Sequence, residues 1–160
     1  MKDNTLKIEG ACGVVRALAI RTGDREPMVE VEQQRVVAGR GLEDDRRAKG
    51  KRGITFLSAE RWRETMAQLG ESLPWHSRRA NVLVEGFDLA ATIGQCIQMG
   101  NVSVKIWDET RPCGEMDEIC MGLKDALKPE LRGGVHGEVL EGGLIRIGDR
   151  VTLAQPDIER

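Results

Sequence analysis

Cys113 is the residue of this chain best placed for chemistry. It sits in Glu109-Thr110-Arg111-Pro112-Cys113-Gly114, directly after an apolar stretch that ends at Trp107. A thiolate is both a nucleophile and a soft metal ligand, and the positive charge of Arg111 favours the ionised form. Pro112 fixes one backbone torsion and Gly114 lets a ligand approach closely. From the residues alone two readings stay open, a reactive thiol at a strand end or an incidental loop cysteine. Glu115, Asp117 and Glu118 would oppose ionisation if they faced the sulfur, so the reactive reading requires them to point away. No histidine lies near in sequence, so a cysteine–histidine pair cannot be argued. Cys120 reads as a small packed hydrophobe, Cys96 falls in a strand, and Cys12 lies near the N-terminus. With no CxxC pair and only His76 and His136 to assist, the spacing gives no structural zinc site.

Three further groups carry charge or main-chain donors. In Arg132-Gly133-Gly134-Val135 the glycines can present backbone N–H groups to an anion, and Arg132 can pair with a phosphate. Gly142-Gly143 has no flanking arginine and reads as a plain hairpin turn. Gly41-Leu42-Glu43-Asp44-Asp45-Arg46-Arg47 reads by itself as an exposed charged loop. Arg78-Arg79-Ala80-Asn81 precedes a strand, where Asn81 either serves a site or caps a turn.

The elements that must position these residues are short. Strands are expected over 13–22, 28–31, 53–57, 81–84, 96–99, 102–107, 135–140, 144–147 and 151–153, with Val36-Val37 leading into a glycine loop. Ser58 caps a helix whose buried face is Trp62, Met66 and Leu69, and Gly70 ends it. Ile119, Leu123, Ala126 and Leu127 mark a short second helix stopped near Pro129. Many strands, two helices and no regular βαβ alternation predict a mainly β, closed or nearly closed barrel with a few short peripheral helices, although a sandwich fits the pattern too. One domain is expected over 12–154, with tails at 1–11 and 155–160.

Composition narrows the function classes. Of 160 residues, 40% are apolar and widely spread, which argues against disorder. No apolar run is long enough to span a bilayer. Aromatic side chains make up 3%, too few for stacking platforms that hold single-stranded nucleic acid. A net charge of −2 gives no bulk attraction to DNA or to anionic lipid. The charge is unevenly placed. Residues 35–52 hold seven basic groups against three acidic ones, and residues 108–120 hold five acids against Arg111. The basic segment is either a solvated loop or one wall of an anion site. The first ten residues lack an apolar signal core, so a cytoplasmic chain with reduced thiols is expected.

In order along the chain, the segments are Gly41-Leu42-x-x-Asp45-Arg46, Ile54-Thr55-Phe56-Leu57-Ser58-Ala59-Glu60 and Arg79-Ala80-Asn81-Val82. Glu109-Thr110-Arg111-Pro112-Cys113, Arg132-Gly133-Gly134-Val135 and Val139-Leu140-Glu141-Gly142-Gly143-x-Ile145-x-Ile147-Gly148-Asp149 follow. Together they resemble the MOSC domain, named for the C-terminal domain of molybdenum cofactor sulfurase, here as a small stand-alone member. The resemblance implies a barrel of the kind compared with the pyruvate kinase barrel domain. It implies that Cys113 ligates molybdenum or carries sulfur as a persulfide. It further implies that basic residues and amides grip the phosphate of molybdopterin. Arg111, Arg132, Gly133 and Gly134 fall on those positions, and Asp45, Arg46, Arg79 and Asn81 on the other motifs. The implied function is a sulfur carrier or sulfur-transfer domain that binds the molybdenum cofactor. The alternatives are a molybdenum-dependent reductase of N-hydroxylated compounds with an external electron donor, and a non-catalytic cofactor-delivery module. The chain has no pyridoxal-phosphate desulfurase segment, so a separate cysteine desulfurase is the expected sulfur donor. The first motif departs from the usual Gly-Leu-x-Gly-Asp-Arg-His, with Asp44 for the glycine and Arg47 for the histidine.

Overall fold

Strand β1 (Cys12–Ile20) shows why the apolar stretch near the N-terminus does not alternate cleanly. Its pairing with β6 (Val82–Glu85) shifts register between Val15 and Ala17. A bulge there lets Val15, Leu18 and Ile20 all face one side, while Ala17 and Ala19 face the other. The structure, a computed structural model, describes residues 12–46 and 48–154. Arg47 and the expected tails at 1–11 and 155–160 lie outside those residues.

The other strands are β2 (Val29–Val31), β3 (Gln33–Val37), β4 (Gly41–Leu42), β5 (Ile54–Ser58), β7 (Cys96–Met99), β8 (Val102–Glu109), β9 (Val135–Glu141), β10 (Gly143–Arg146) and β11 (Arg150–Leu153). Strands β11, β7, β8, β9, β5, β6 and β1 hydrogen-bond in that order, and β1 also pairs with β11, so seven strands close a barrel. Closure removes the free edges that an open sheet would expose. Strand β2 continues from the far end of β1, and β10, β3 and β4 form a separate small sheet. The fold is mainly β, as the sequence pattern predicts. Among the described residues there are more strands than expected, because residues 33–36 pair with β10, and Val36 and Val37 with β4, through the backbone.

Barrel pairings are antiparallel except β5 with β6. The parallel pair requires a crossover, supplied by α1 (Ala59–Leu69). Ser58 Oγ accepts the Arg61 N–H at 3.1 Å, and Gly70 ends the helix at φ 67°. Ile54 and Phe56 fill the barrel, whereas Leu57 points outward to Trp62, Met66 and Trp75 in a second apolar layer. The helix expected around 119–127 is two helices, α2 (Glu115–Ile119) and α3 (Leu123–Ala126). Gly122 at φ 91° breaks them apart, a conformation that only glycine adopts freely. Met116, Leu123 and Leu127 close the second layer. Among the described residues no helix is long and apolar enough to cross a membrane.

Asp44 has a φ of 73°, left-handed backbone in which Asp is better tolerated than most side chains. Its position is the one the family motif gives to glycine. Asp44→Gly should therefore keep wild-type stability, while Asp44→Val should be about 1–2 kcal/mol less stable than the glycine variant. Urea denaturation midpoints check this.

Candidate functional site

The β8–β9 pairing carries Cys113 to one end of the barrel. Glu109 pairs with Val135, and Thr110 donates its N–H to Gly134 O at 2.8 Å. The chain then leaves the sheet, exposes Cys113, and turns into α2, where the Met116 N–H bonds Cys113 O at 3.0 Å.

Arg78 ties this segment to the next. It ends a 3₁₀ turn, Trp75–Arg78, and is 7% exposed. Its Nε donates to Gly133 O at 3.1 Å and its Nη2 to Thr110 O at 2.7 Å. Among the described residues no carboxylate hydrogen-bonds or ion-pairs with it. Loss of hydration pulls its pKa down to about 10, and the charges of Arg52 and Arg21 act in the same direction. Cys113 and Glu109 act in the opposite direction through space. Arg78 is therefore protonated at neutral pH, and among the described residues its oxygen partners are the two carbonyl groups.

Around it lies a cavity of about 210 Å³, lined by Cys113, Arg21, Arg52, Arg78, Arg79 and Arg111 among others. Glu115 is the acid on its wall. The other two nearby acids are engaged elsewhere. Asp117 Oδ1 accepts the Lys124 N–H at 2.9 Å, and Glu118 lies 3.3 Å from Arg25. Arg111 is well exposed and lies 3.8 Å from both Asp108 and Glu109.

Asp45 and Asn81 sit one layer beneath the cavity. The Asp45 carboxylate accepts from the Arg21 N–H at 3.1 Å and from Arg21 Nη1 at 3.1 Å. Asn81 is fully buried. Its Nδ2 donates to Asp45 Oδ2 at 2.7 Å and to Ala19 O at 3.1 Å, while its Oδ1 accepts from the Thr55 N–H and hydroxyl. These bonds tie β1, β5 and the start of β6 together and hold Arg21 at the cavity. Arg21 Nη2 in turn donates to Arg79 O at 2.9 Å. Arg79 itself is at φ 69° and donates to Glu26 O at 2.7 Å and Gly23 O at 3.1 Å.

The two glycines are packed tightly. A Cβ at Gly133 would stand 2.7 Å from Thr110 O and 3.2 Å from Arg78 Nη2; one at Gly134 would stand 2.1 Å from Phe56 O. Gly133 lines the cavity, while the Gly134 N–H is donated to Leu131 O at 3.0 Å. Arg132 turns toward the helices, where Nη1 bonds Gln68 Oε1 at 2.7 Å and Ala126 O at 3.0 Å. Arg46 lies 3.4 Å from Asp24. The fold thus gathers Cys113, Arg111, Arg79 and Gly133 at one cavity, with Asp45 and Asn81 behind it, and leaves Arg132 and Arg46 outside the lining. Arg21, Arg52 and Arg78 complete the wall. Arg52 belongs to the basic run and Arg78 adjoins Arg79, but no spacing signal marks Arg21. Among the described residues no three His, Cys, Asp or Glu side chains converge to hold a metal ion. The donor set is one thiol and several guanidinium groups.

A family model for the MOSC domain matches residues 38–152. No curated protein matches by sequence. Among solved structures, the YuaD protein of Bacillus subtilis superposes with a TM-score of 0.75 at 18% identity, covering 91% of this chain and 97% of that one. YiiM of Geobacillus stearothermophilus gives 0.73 at 16% identity, covering 92% and 77%. YiiM of Escherichia coli gives 0.69 at 14% identity, covering 89% and 71%. At these identities the likeness concerns the fold.

Two outcomes follow from the geometry. Asn81→Leu strands the buried Thr55 N–H and one lone pair of Asp45, so it should cost about 2–4 kcal/mol in chemical denaturation. His136 has its pKa lowered from 6.5, first by loss of hydration and then by the charge of Arg52. Both folded and unfolded forms are neutral well above 6.5; below it the unfolded chain binds the proton first. Stability should therefore fall as pH drops below about 6.5, and His136→Gln should flatten that part of the pH profile in thermal melts.

Proposed function

The chain belongs to the MOSC domain family, and from that premise we propose that it binds the molybdenum cofactor and carries sulfur on Cys113. One observation carries the reading: an exposed thiol opens onto a cavity whose buried cation, Arg78, has no carboxylate bonded to it among the described residues. A buried charge is costly unless it is compensated. An anionic ligand in the cavity would supply the compensation.

The residues fit the group with which the family is associated. A cofactor that brings its own sulfur ligands to the metal needs one soft donor from the protein, not a cage of three, and Cys113 is such a donor. Arg78, Arg79, Arg21 and Arg52 would hold its phosphate, with Gly133 giving close approach. When bound, the cofactor would supply two-electron redox chemistry. The chain's own part is to hold the phosphate by charge and to present the thiolate at the cavity mouth.

Sulfur transfer to Cys113 is an exchange at sulfur. The Cys113 thiolate attacks the outer sulfur of a persulfide on a separate cysteine desulfurase. An S–S bond forms to Cys113, the donor's S–S bond breaks, and the donor cysteine leaves as its thiolate, with no net oxidation. Pyridoxal phosphate is needed only by that donor. Glu115 shares the cavity wall with Cys113, Arg78 and Arg111.

Intact mass spectrometry tests the reading. After incubation with a cysteine desulfurase and cysteine, the wild-type chain should gain one sulfur atom that reductant removes, and Cys113→Ala should not. In protein made in a host that synthesises the cofactor, Cys113→Ala should lose bound molybdenum. A wild-type chain that stays an unmodified thiol and holds no molybdenum contradicts the proposal.

A further inference from the structure

The Cys113 cavity does not end at Arg52. A second cavity of about 460 Å³ adjoins it and is lined by Arg21, Lys49, Gly50, Lys51, Arg52 and Thr55. The two share Arg21, Arg52 and Thr55, so they form an inner and an outer lobe of one groove. The outer lobe falls within the range of about 300–1,000 Å³ usual for small-molecule sites, and the inner lobe falls below it. The inner lobe suits a reacting group, and the outer one an organic body with its own charged group.

The outer wall is built from the 3₁₀ turn Gly50–Arg52 and the residue before it. Among the described residues no carboxylate ion-pairs with Lys49, Lys51 or Arg52. The Lys51 ammonium rests instead over the Trp107 ring, 4.4 Å from its centroid. The charge of Arg52 reaches both Arg78 and His136, disfavouring the protonated form of each. So many like charges around one groove repel one another, which destabilises the protein in the absence of an anion.

The two lobes present their charge differently. Arg78 is buried, and a bond to it is strengthened by the low dielectric. Lys49, Lys51 and Arg52 are exposed, so an anion on them is held more weakly and is screened by salt. Buried charge suits a resident group, and exposed charge suits a ligand that comes and goes.

We propose that the outer lobe, formed by Lys49, Lys51 and Arg52, binds the phosphate of the small-molecule acceptor that meets Cys113, an acceptor of about nucleotide size. The inference rests on the cofactor-binding, sulfur-carrying reading for the word acceptor. The phosphate site itself is open to test without it.

The test uses the purified full-length chain with inorganic pyrophosphate and a nucleoside monophosphate as probes. Wild type, Lys51→Ala, Arg52→Ala and, as a control outside both lobes, Arg63→Ala are compared by calorimetry and thermal melts. Both probes should bind wild type and the control, more weakly as salt rises. Lys51→Ala and Arg52→Ala should each weaken binding about tenfold. Without ligand, Arg52→Ala should melt no lower than wild type, because repulsion is relieved; this separates a binding role from a structural one. Molybdenum content and sulfur uptake on Cys113 should match wild type in Lys51→Ala, which lines the outer lobe and not the inner one. The inference is overturned if neither probe binds, if the variants bind like wild type, or if molybdenum content falls in parallel in Lys51→Ala, which would assign the lobe to the cofactor's own phosphate. Failure of sulfur uptake or molybdenum binding in wild type, with probe binding intact, would count against the functional reading and not against the phosphate site.

Discussion

Arg78 carries a full positive charge where water scarcely reaches, and its direct oxygen partners among the described residues are two main-chain carbonyls. Much of the site follows from that placement. One carbonyl, of Thr110, belongs to the segment that ends at Cys113. The other, of Gly133, belongs to the turn that enters β9. A single guanidinium therefore clamps the segments on either side of the helical excursion between β8 and β9. The clamp also restricts residue 133, where any Cβ would crowd Arg78 Nη2 and Thr110 O. Carbonyl dipoles compensate the charge only in part, so the cavity remains a place where an anion lowers the energy.

A second tier of polar contacts makes this possible. Asp45 and Asn81 are buried beneath the cavity floor and bonded to each other, to Thr55 and to Arg21. They touch three strands, so they set where Arg21 projects and how β1, β5 and the start of β6 meet. Because Arg21 shares a carboxylate and Arg78, among the described residues, does not, the two arginines differ in kind. The first is part of the frame, and the second retains most of its charge for whatever enters.

The barrel was largely legible in the sequence because closed sheets are built from short apolar segments between turns. The helix from Ser58 to Gly70 was legible from its cap, its apolar face and its terminator. The bulge in β1 was not, since an apolar run without alternation does not say which residues turn inward. In the small sheet of β3, β4 and β10, only β10 shows a strand pattern in the sequence; β3 opens with Gln33-Gln34-Arg35 and β4 is two residues long, so neither displays a strand period. Cys113 stood out by its flanking residues. Arg21 and Arg78 could not be assigned, because their roles depend on pairings 24 to 58 residues away in sequence. Arg132 illustrates the reverse case. Beside two glycines it reads as a phosphate ligand, but the chain direction sends its side chain to Gln68 and Ala126.

The central claim is that Cys113 lies in a positive field set by buried Arg78, and thiol-reagent kinetics measure that field directly. A negatively charged methanethiosulfonate and its positively charged counterpart are reacted with the protein, and modification of Cys113 is followed by peptide mass spectrometry. The negative reagent should react faster, salt should narrow the difference, and Arg78→Met should narrow it while Arg78→Lys largely preserves it. Equal rates for the two reagents, or a faster positive one, would contradict it.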